Sequence, residues 1–397
     1  MPEFLGPGIF VEEIPSGSKP IQGVSTSSAG FVGPTRSGPT SGKLILLTSF
    51  AEFERVYGGL EPLNFGGKLT PNYLAYAARA YFVEGGKRLY VSRLTQAGDH
   101  DLPSAQAYRG SGDEKTGLAA LESIEEIAVV TAPGSSAKYS GDNRSQVDEI
   151  TDALIQHAEK MHYRIAVLDT PDGQNPDEAR AYRSRLDSSF AALYYPWVTI
   201  NDPLAKAPLN LPPSGFIAGV YARSDMQRGV SKAPDNLGLR SAAGLETALT
   251  KVQLDMLNAA GVDCLRPFQG RGYRVWGART ASSDPEWKYV NLRRYFAYME
   301  HSIERGTQWV VFEPNGEALW ANVRRTVEDF LFNEWQSGAL QGSKPEQAYF
   351  VRCNRSTMTQ NDLDNGRLVC LIGVATVRPA EFVMIRICQW TADRPAR

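Results

Sequence analysis

Histidine and cysteine are scarce in this chain, four of each in 397 residues. His100, His157, His162 and His301 are scattered and form no HExxH pair, so a histidine-built metal centre is not expected. His157 falls beside the apolar stripe of a predicted helix, where a packing or surface role is expected. Cys264, Cys353, Cys370 and Cys388 show no CxxC spacing and sit in apolar runs, which reads as buried thiols in a reducing compartment. Three of them lie in the C-terminal stretch, which leaves one disulfide there open.

Charge of one sign is lacking too. The formal net charge is −2, and phosphate contacts need a concentrated basic surface, so a nucleic-acid binder is not expected. No apolar run reaches the length of a membrane span. Residues 1–30 hold no basic stretch followed by an apolar one, so no secretory leader is expected. Nucleotide motifs are missing as well. The loop after Val130 reads Thr-Ala-Pro-Gly-Ser-Ser and has no GxGxxG. Gly42-Lys43, Gly67-Lys68 and Gly86-Lys87 are followed by Leu44, Leu69 and Arg88, where a P-loop needs Ser or Thr. Two SxxK matches lack SDN or KTG partners. Glu313-Pro-Asn and Pro379-Ala-Glu-Phe382 read as turn chemistry. No catalytic, cofactor-binding or metal residues are assigned, and no cofactor is expected.

What the sequence does hold is β-prone segments at both ends. In the final run, EFVMIRICQW, Phe382, Met384, Cys388 and Trp390 alternate with Val383, Ile385 and Ile387, a strand covered on both faces. Near the start, Ile9, Phe10, Val11 and Ile14 form a second short strand, followed by the linker Pro-Ser-Gly-Ser-Lys-Pro. A strand on a tether can complete a sheet in a neighbouring copy; pairing of both ends inside one domain is the alternative.

Between the ends, helical and strand periodicities alternate. Strands are predicted at Val24–Gly33, Leu44–Leu47, Leu89–Arg93, Ile127–Val130, Arg164–Leu168, Trp197–Ile200, Cys264–Phe268, Tyr273–Trp276 and Gln308–Phe312. Helices are predicted at Phe50–Val56, Asn72–Phe82, Gln146–Met161, Pro176–Leu193, from Thr250 to Gly261, Val290–Arg305 and from Asn315 to Ser337. The polar stretch Asp99–Glu126 suggests a domain boundary, and the βαβαβ order after it predicts a small parallel sheet. Arg266, Arg271, Arg274, Arg279, Arg293 and Arg294, interleaved with Trp276, Trp287, Tyr289 and Tyr295, read either as a protein–protein interface or as a solvated basic face. The fold class is mixed α/β.

Several motifs in order resemble one family, the tail-sheath proteins of contractile phages and phage-tail-like injection systems. They are Pro7-Gly-Ile-Phe-Val-Glu-Glu-Ile-Pro15, Ile21-Gln-Gly-Val-Ser-Thr-Ser27, Pro212-Pro-Ser-Gly-Phe-Ile-Ala-Gly219, Gly229-Val-Ser-Lys-Ala-Pro234, Val275-Trp-Gly-Ala-Arg-Thr280, Trp287-Lys-Tyr-Val290 with Arg293-Arg294, Phe312-Glu-Pro-Asn315, Leu319-Trp320 and Pro379-Ala-Glu-Phe382. The resemblance implies a structural subunit and not an enzyme. It implies hexameric rings stacked helically around an inner tube, with baseplate and terminator or cap proteins as further partners. Assembly would take place in the bacterial cytoplasm, without membrane insertion. Contraction of the lattice would drive the tube through a target envelope.

It further implies a C-terminal mixed β-sheet completed by neighbours' arms, beside a small outer α/β domain. The expected division is residues 1–26 as N-terminal arm and linker, 27–98 and 212–380 as core, 99–211 as outer domain and 381–397 as C-terminal arm. Phe350, Val351, Leu368, Val369 and Leu371 would accept the arm strands. Arg324 and Arg325, on the long helix, would contact the tube. A static strand-exchanging shell or adhesin subunit, and an enzyme built on the α/β unit, are the alternatives.

Overall fold

The computed structural model describes residues 20–381 apart from 66, 96–102 and 142. The expected arm strands, with Ile9, Phe10, Val11, Ile14, Phe382, Val383, Met384, Ile385 and Ile387, lie outside the described residues. The chain runs through β1 (Ser28–Pro34), β2 (Leu46–Leu47), α1 (Phe50–Tyr57), the hairpin β3 (Leu63–Phe65) and β4 (Lys68–Thr70), and α2 (Tyr73–Glu84). Next come β5 (Arg88–Leu94), the short α3 (Ala105–Arg109) and α4 (Gly117–Leu121), β6 (Ile127–Thr131), α5 (Asn143–Met161), β7 (Ile165–Asp169), α6 (Pro176–Ser184) and β8 (Ala191–Tyr195). Then follow β9 (Val198–Asn201), β10 (Pro208–Leu211), α7 (Ser214–Arg228), β11 (Gly244–Leu245), α8 (Lys251–Ala260) and the hairpin β12 (Asp263–Phe268) and β13 (Gly272–Trp276). The C-terminal part holds α9 (Val290–Gly306), α10 (Glu317–Gln336), α11 (Pro345–Ala348), β14 (Tyr349–Arg352), α12 (Gln360–Asp364) and β15 (Leu371–Val374).

One eight-stranded sheet, ordered β13-β12-β8-β7-β6-β1-β5-β2, organises residues 28–276. Its six central strands are mutually parallel, and β2 and β13 close the edges antiparallel. Parallel strands are covered on both faces, which is why β6, β7 and β8 read as near-continuous apolar runs. Phe31, Val91, Val167 and Tyr194 face the layer of α1, α2 and α7. Val32, Val130, Leu168 and Leu193 face the layer of α3, α4, α5, α6 and α8. The mixed α/β class expected from the sequence is the class observed. The sheet also runs through the boundaries expected at residues 99 and 211, since β6–β8 lie between β1 and β12.

Several segments differ from the sequence reading; the strands expected from Val24 and Leu44 begin at Ser28 and Leu46. The helix expected over Pro176–Leu193 stops at Ser184, and Ala191–Tyr195 is a parallel strand. Asp187 and Ser188 break the helix by accepting from Ser283 and pairing with Ala281. The strand expected at Trp197–Ile200 is antiparallel β9 in a separate three-stranded sheet with β10 and β11. Gln308–Val310 is a 3₁₀ turn, not a strand, and Val311 and Phe312 after it are exposed.

Close helix packing explains one quoted motif. A Cβ on Gly215 would lie 2.6 Å from the Ala77 Cα, and one on Gly219 would lie 2.6 Å from the Tyr81 carbonyl oxygen. Glycine at both positions lets α7 press against α2 backbone to backbone. The crossing is pinned by a buried pair, Arg223 to Glu84 at 3.1 Å, with Glu84 also accepting from the backbone of Arg240 and Ser241.

Candidate functional site

The C-terminal part carries a small sheet of two strands only, β14 and β15, among the described residues. Antiparallel register sets Tyr349 opposite Val374 and Arg352 opposite Leu371. Alternation turns Val351 inward, towards the cluster of Tyr295, Met299, Val327 and Leu331 from α9 and α10. Phe350 and Leu371 turn outward and stay 44% and 49% exposed. Gly373, opposite Phe350, leaves the space that ring occupies: a Cβ there would meet it at 2.2 Å. Leu368 and Val369, expected in the accepting sheet, precede β15, whose ladder begins at Leu371. The carbonyls of Arg367 and Val369 are taken by Asn315 and Thr357 side chains, so this stretch is held as a loop. A two-stranded ribbon is marginal alone and gains stability from further strands or a helix. Here α10 covers one face, while the other presents Phe350 and Leu371.

The described residues that adjoin the two arm segments are fixed to the body. On the N-terminal side, Ile21 is buried against Gly306, where a Cβ would come within 2.6 Å of it. Gly23 lies so close to the Tyr298 hydroxyl that a Cβ would sit 2.2 Å away. Val24 donates its N–H to Ser302 Oγ at 3.1 Å. Thr26 donates its hydroxyl to Asp225 at 2.6 Å, and Asp225 pairs with Arg294 at 2.6 Å. Both charged side chains of that pair are almost fully buried. The Arg294 guanidinium also donates to the Thr26 carbonyl and lies 4.5 Å over the Tyr221 ring. Removing one member of such a pair strands the other charge and costs about 3–5 kcal/mol. The linker expected over residues 15–26 is therefore docked along α9 from Ile21 onward.

On the C-terminal side, Glu381 takes Arg279 at 2.7 and 2.9 Å, Lys288 at 3.2 Å and the Tyr289 hydroxyl at 3.1 Å. Burial works to raise its carboxyl, but the Arg279 and Lys288 bonds prevail and hold it below the usual range. The sequence reading placed Glu381 in turn chemistry and at the start of the C-terminal arm, and missed this clamp, because its partners lie about a hundred residues upstream. The one signal was that Arg279, Lys288 and Tyr289 fall in the Arg/aromatic stretch. That stretch proves to be divided. Arg293 and Arg294 are buried, Arg293 sandwiched between Phe190 at 4.6 Å and Trp287 at 4.3 Å. Arg266 stacks on Phe268 and Trp276 of the partly exposed β12–β13 hairpin.

On α10, the stripe Trp320, Val323, Val327 and Leu331 is buried as the spacing predicts, while Trp335, the last position of that stripe, is only half-buried. The N-cap is Gly316, while Asn315 accepts from the Trp320 indole at 2.7 Å. Arg324 and Arg325 lie off the stripe; Arg324 has Glu328 at 3.8 Å and Arg325 is exposed.

Perturbed acids and bases in clefts often mark catalysis, but those of the α/β part have structural partners. Asp169, pushed up to about 7 by burial, accepts from Ser214 N and Oγ at 2.7 Å and so caps α7, whose N-cap position is Pro213. Asp263, fully buried and raised by desolvation, accepts from the Arg279 N–H at 2.8 Å. His157 is buried against Arg164 at 2.8 Å, a packing role. Among the described residues no group of His, Cys, Asp and Glu has metal-site geometry, and no helix is long and apolar enough to cross a membrane.

The segments fixed to the body at Ile21–Thr26 and at Glu381, and a small sheet that is two-stranded among the described residues with α10 on one face, are the features that bear on assembly. Two family models match in succession: the phage tail sheath protein central domain over residues 109–281 and the phage tail sheath C-terminal domain over 282–389. The chain belongs to the phage tail sheath family and is a structural sheath component of a phage tail or tail-like particle. It is 23% identical to the tail sheath protein of Escherichia phage P2 over 330 residues, 77% of each chain. It also resembles the helical sheath of the anti-feeding prophage in its contracted state, with a TM-score of 0.77 and 30% identity over 96% of this chain and 99% of that one. The contracted sheath complex of the extracellular contractile injection system PVC gives a TM-score of 0.73 and 28% identity, covering 99% of this chain and 100% of that one.

Proposed function

We propose that this subunit polymerises as hexameric rings stacked helically around an inner tube, and that contraction of the lattice drives the tube through a target envelope. Baseplate and terminator or cap proteins bound the lattice, assembly takes place in the bacterial cytoplasm, and the sheath performs no catalysis. In this reading the arm strands around Ile9, Phe10, Val11 and Ile14, and around Phe382 to Ile387, extend neighbours' C-terminal sheets. Phe350, Val351, Leu368, Val369 and Leu371 belong to the accepting region. The observation that carries the reading is the β14–β15 sheet, two-stranded among the described residues, with Phe350 and Leu371 exposed on the face away from α10. Added strands would satisfy edge N–H and C=O groups at roughly 0.5–1.5 kcal/mol per hydrogen bond. Ordering an arm costs about 1–2 kcal/mol per residue, so the net per arm is small and the lattice can both hold and rearrange.

Deleting residues 1–18 tests it. The truncated chain should keep the circular dichroism of the full protein, since every described element begins after the cut, yet fail to form tubes in negative-stain images. Long sheaths assembled from the truncated chain would refute the role of the N-terminal arm; small closed shells formed by the full chain would favour a static assembly.

A further inference from the structure

Cys353 and Cys370 stand one step beyond the last paired residues of the small sheet, Arg352 and Leu371. Continuing that antiparallel register sets the two cysteines opposite each other. Directly opposed residues of an antiparallel pair have Cα atoms about 4.5–5.5 Å apart, inside the roughly 4.4–6.8 Å range that a disulfide requires. Alternation also turns both towards the same side, where they share one apolar cluster with Leu319, Trp320, Val323 and Met358. Both are free thiols packed in that cluster, Cys353 buried and Cys370 partly exposed. Cys264 is far from them in the fold, buried in the main sheet.

We infer that Cys353 and Cys370 are a latent cross-strand disulfide site, closed by a small organic disulfide such as oxidised glutathione. The partly exposed Cys370 loses its thiol proton to solvent and its sulfur attacks one sulfur of the reagent, releasing the first small thiolate. Cys353 then loses its proton, and its sulfur attacks the Cys370 sulfur of the mixed disulfide, releasing the second. Two protein thiols are oxidised to one disulfide, and one small disulfide is reduced to two thiols. The product would tie the end of β14 to the start of β15 and close the loop of residues 354–369. That loop is otherwise held by side-chain bonds such as Thr357 to the Val369 carbonyl. Burial raises both thiols, Cys370 to about 12. Because the thiolate is the nucleophile, closure should be slow at neutral pH and faster in alkaline buffer.

The full-length unassembled protein would be incubated with oxidised glutathione at mildly alkaline pH, its remaining thiols alkylated, and the product read by intact mass and by peptide mapping without reduction. The expected result is loss of two hydrogens per chain and a single linked pair of peptides, one holding Cys353 and the other Cys370. The C353A and C370A variants should each abolish the link, C370A without a mixed disulfide at Cys353, while C264A forms it at the wild-type rate. Circular dichroism checks that the variants are folded. A link from either cysteine to Cys264 or Cys388, or a stable mixed disulfide on Cys370 that never closes, would overturn the site. So would wild-type protein that keeps all its thiols while a urea-unfolded sample oxidises.

Discussion

At the residue scale, charge is used here to hold segments in place. Glu381 joins three groups from the 279–289 segment and is the first residue of the expected C-terminal arm and the last described one. If that arm must leave in one direction to reach a neighbour, loosening Glu381 should impair assembly and leave the body folded. Glu381→Ala is expected to keep the far-ultraviolet spectrum and to lower the fraction of protein pelleted as sheath several-fold; unchanged pelleting would show that the arm finds its partner without the clamp. His157 gives a different signature. Burial first, and then the Arg164 charge, push it from 6.5 down to about 3. Below pH 6.5 an unfolded chain takes up a proton that the folded one refuses, so stability is complete above that pH and falls as the pH drops towards 3. The loss approaches about 1.4 kcal/mol per pH unit in that window. His157→Gln keeps an acceptor for Arg164 but does not titrate. Urea denaturation of both proteins should give curves that converge or cross as the pH falls from 7 to 4, and a constant difference over that range would contradict a neutral buried His157.

At the element scale, α10 has a buried stripe and an exposed cationic corner, Arg324 and Arg325. We expect the Arg324→Glu, Arg325→Glu double variant to weaken co-sedimentation of sheath with tube at low salt while sheath-only assembly persists, because rim charges act mainly through screened attraction. Co-sedimentation equal to wild type would move the tube contact elsewhere. Elements with strong local signals were legible in the sequence. The capping box of Thr250 with Gln253 and the left-handed Gly261 bound α8 where spacing placed them. The 290–306 and 317–336 helices likewise followed their stripes. The 176–195 stretch was not legible, because the apolar run after Asp187 suits a helix and a buried strand equally, and only the pairing with β7 decides. Glu381, Gly23 and the Gly215/Gly219 crossing were illegible for a related reason. Their partners are distant in the chain, and no local pattern announces a contact of Glu381 with Arg279 or of Gly215 with Ala77.

At the scale of the whole molecule, the docked root of the N-terminal arm changes what the tether can do. Residues 21–26 are held on α9 and α7 through Ile21, Val24 and Thr26, so in the proposed assembly any slack between subunits would lie before Ile21. From Pro15 to Pro20, six residues span at most roughly 20 Å when extended. A connection that short makes one subunit feel the displacement of the next, provided the arm strand is seated in a neighbour's sheet. Inserting three or four Gly/Ser residues after Gly17 leaves the arm strand, the root and the accepting sheet unaltered. Because closure entropy grows only slowly with loop length, assembly in the extended form should be nearly unaffected. The insertion adds slack of the order of 10 Å, so one layer can shift before the next is pulled. The expected outcome is particles that assemble and then contract incompletely when triggered, measured as sheath length before and after the trigger in wild type and variant. Complete contraction of the variant would show that the tether only connects, and that the movement passes between layers through contacts of the folded bodies.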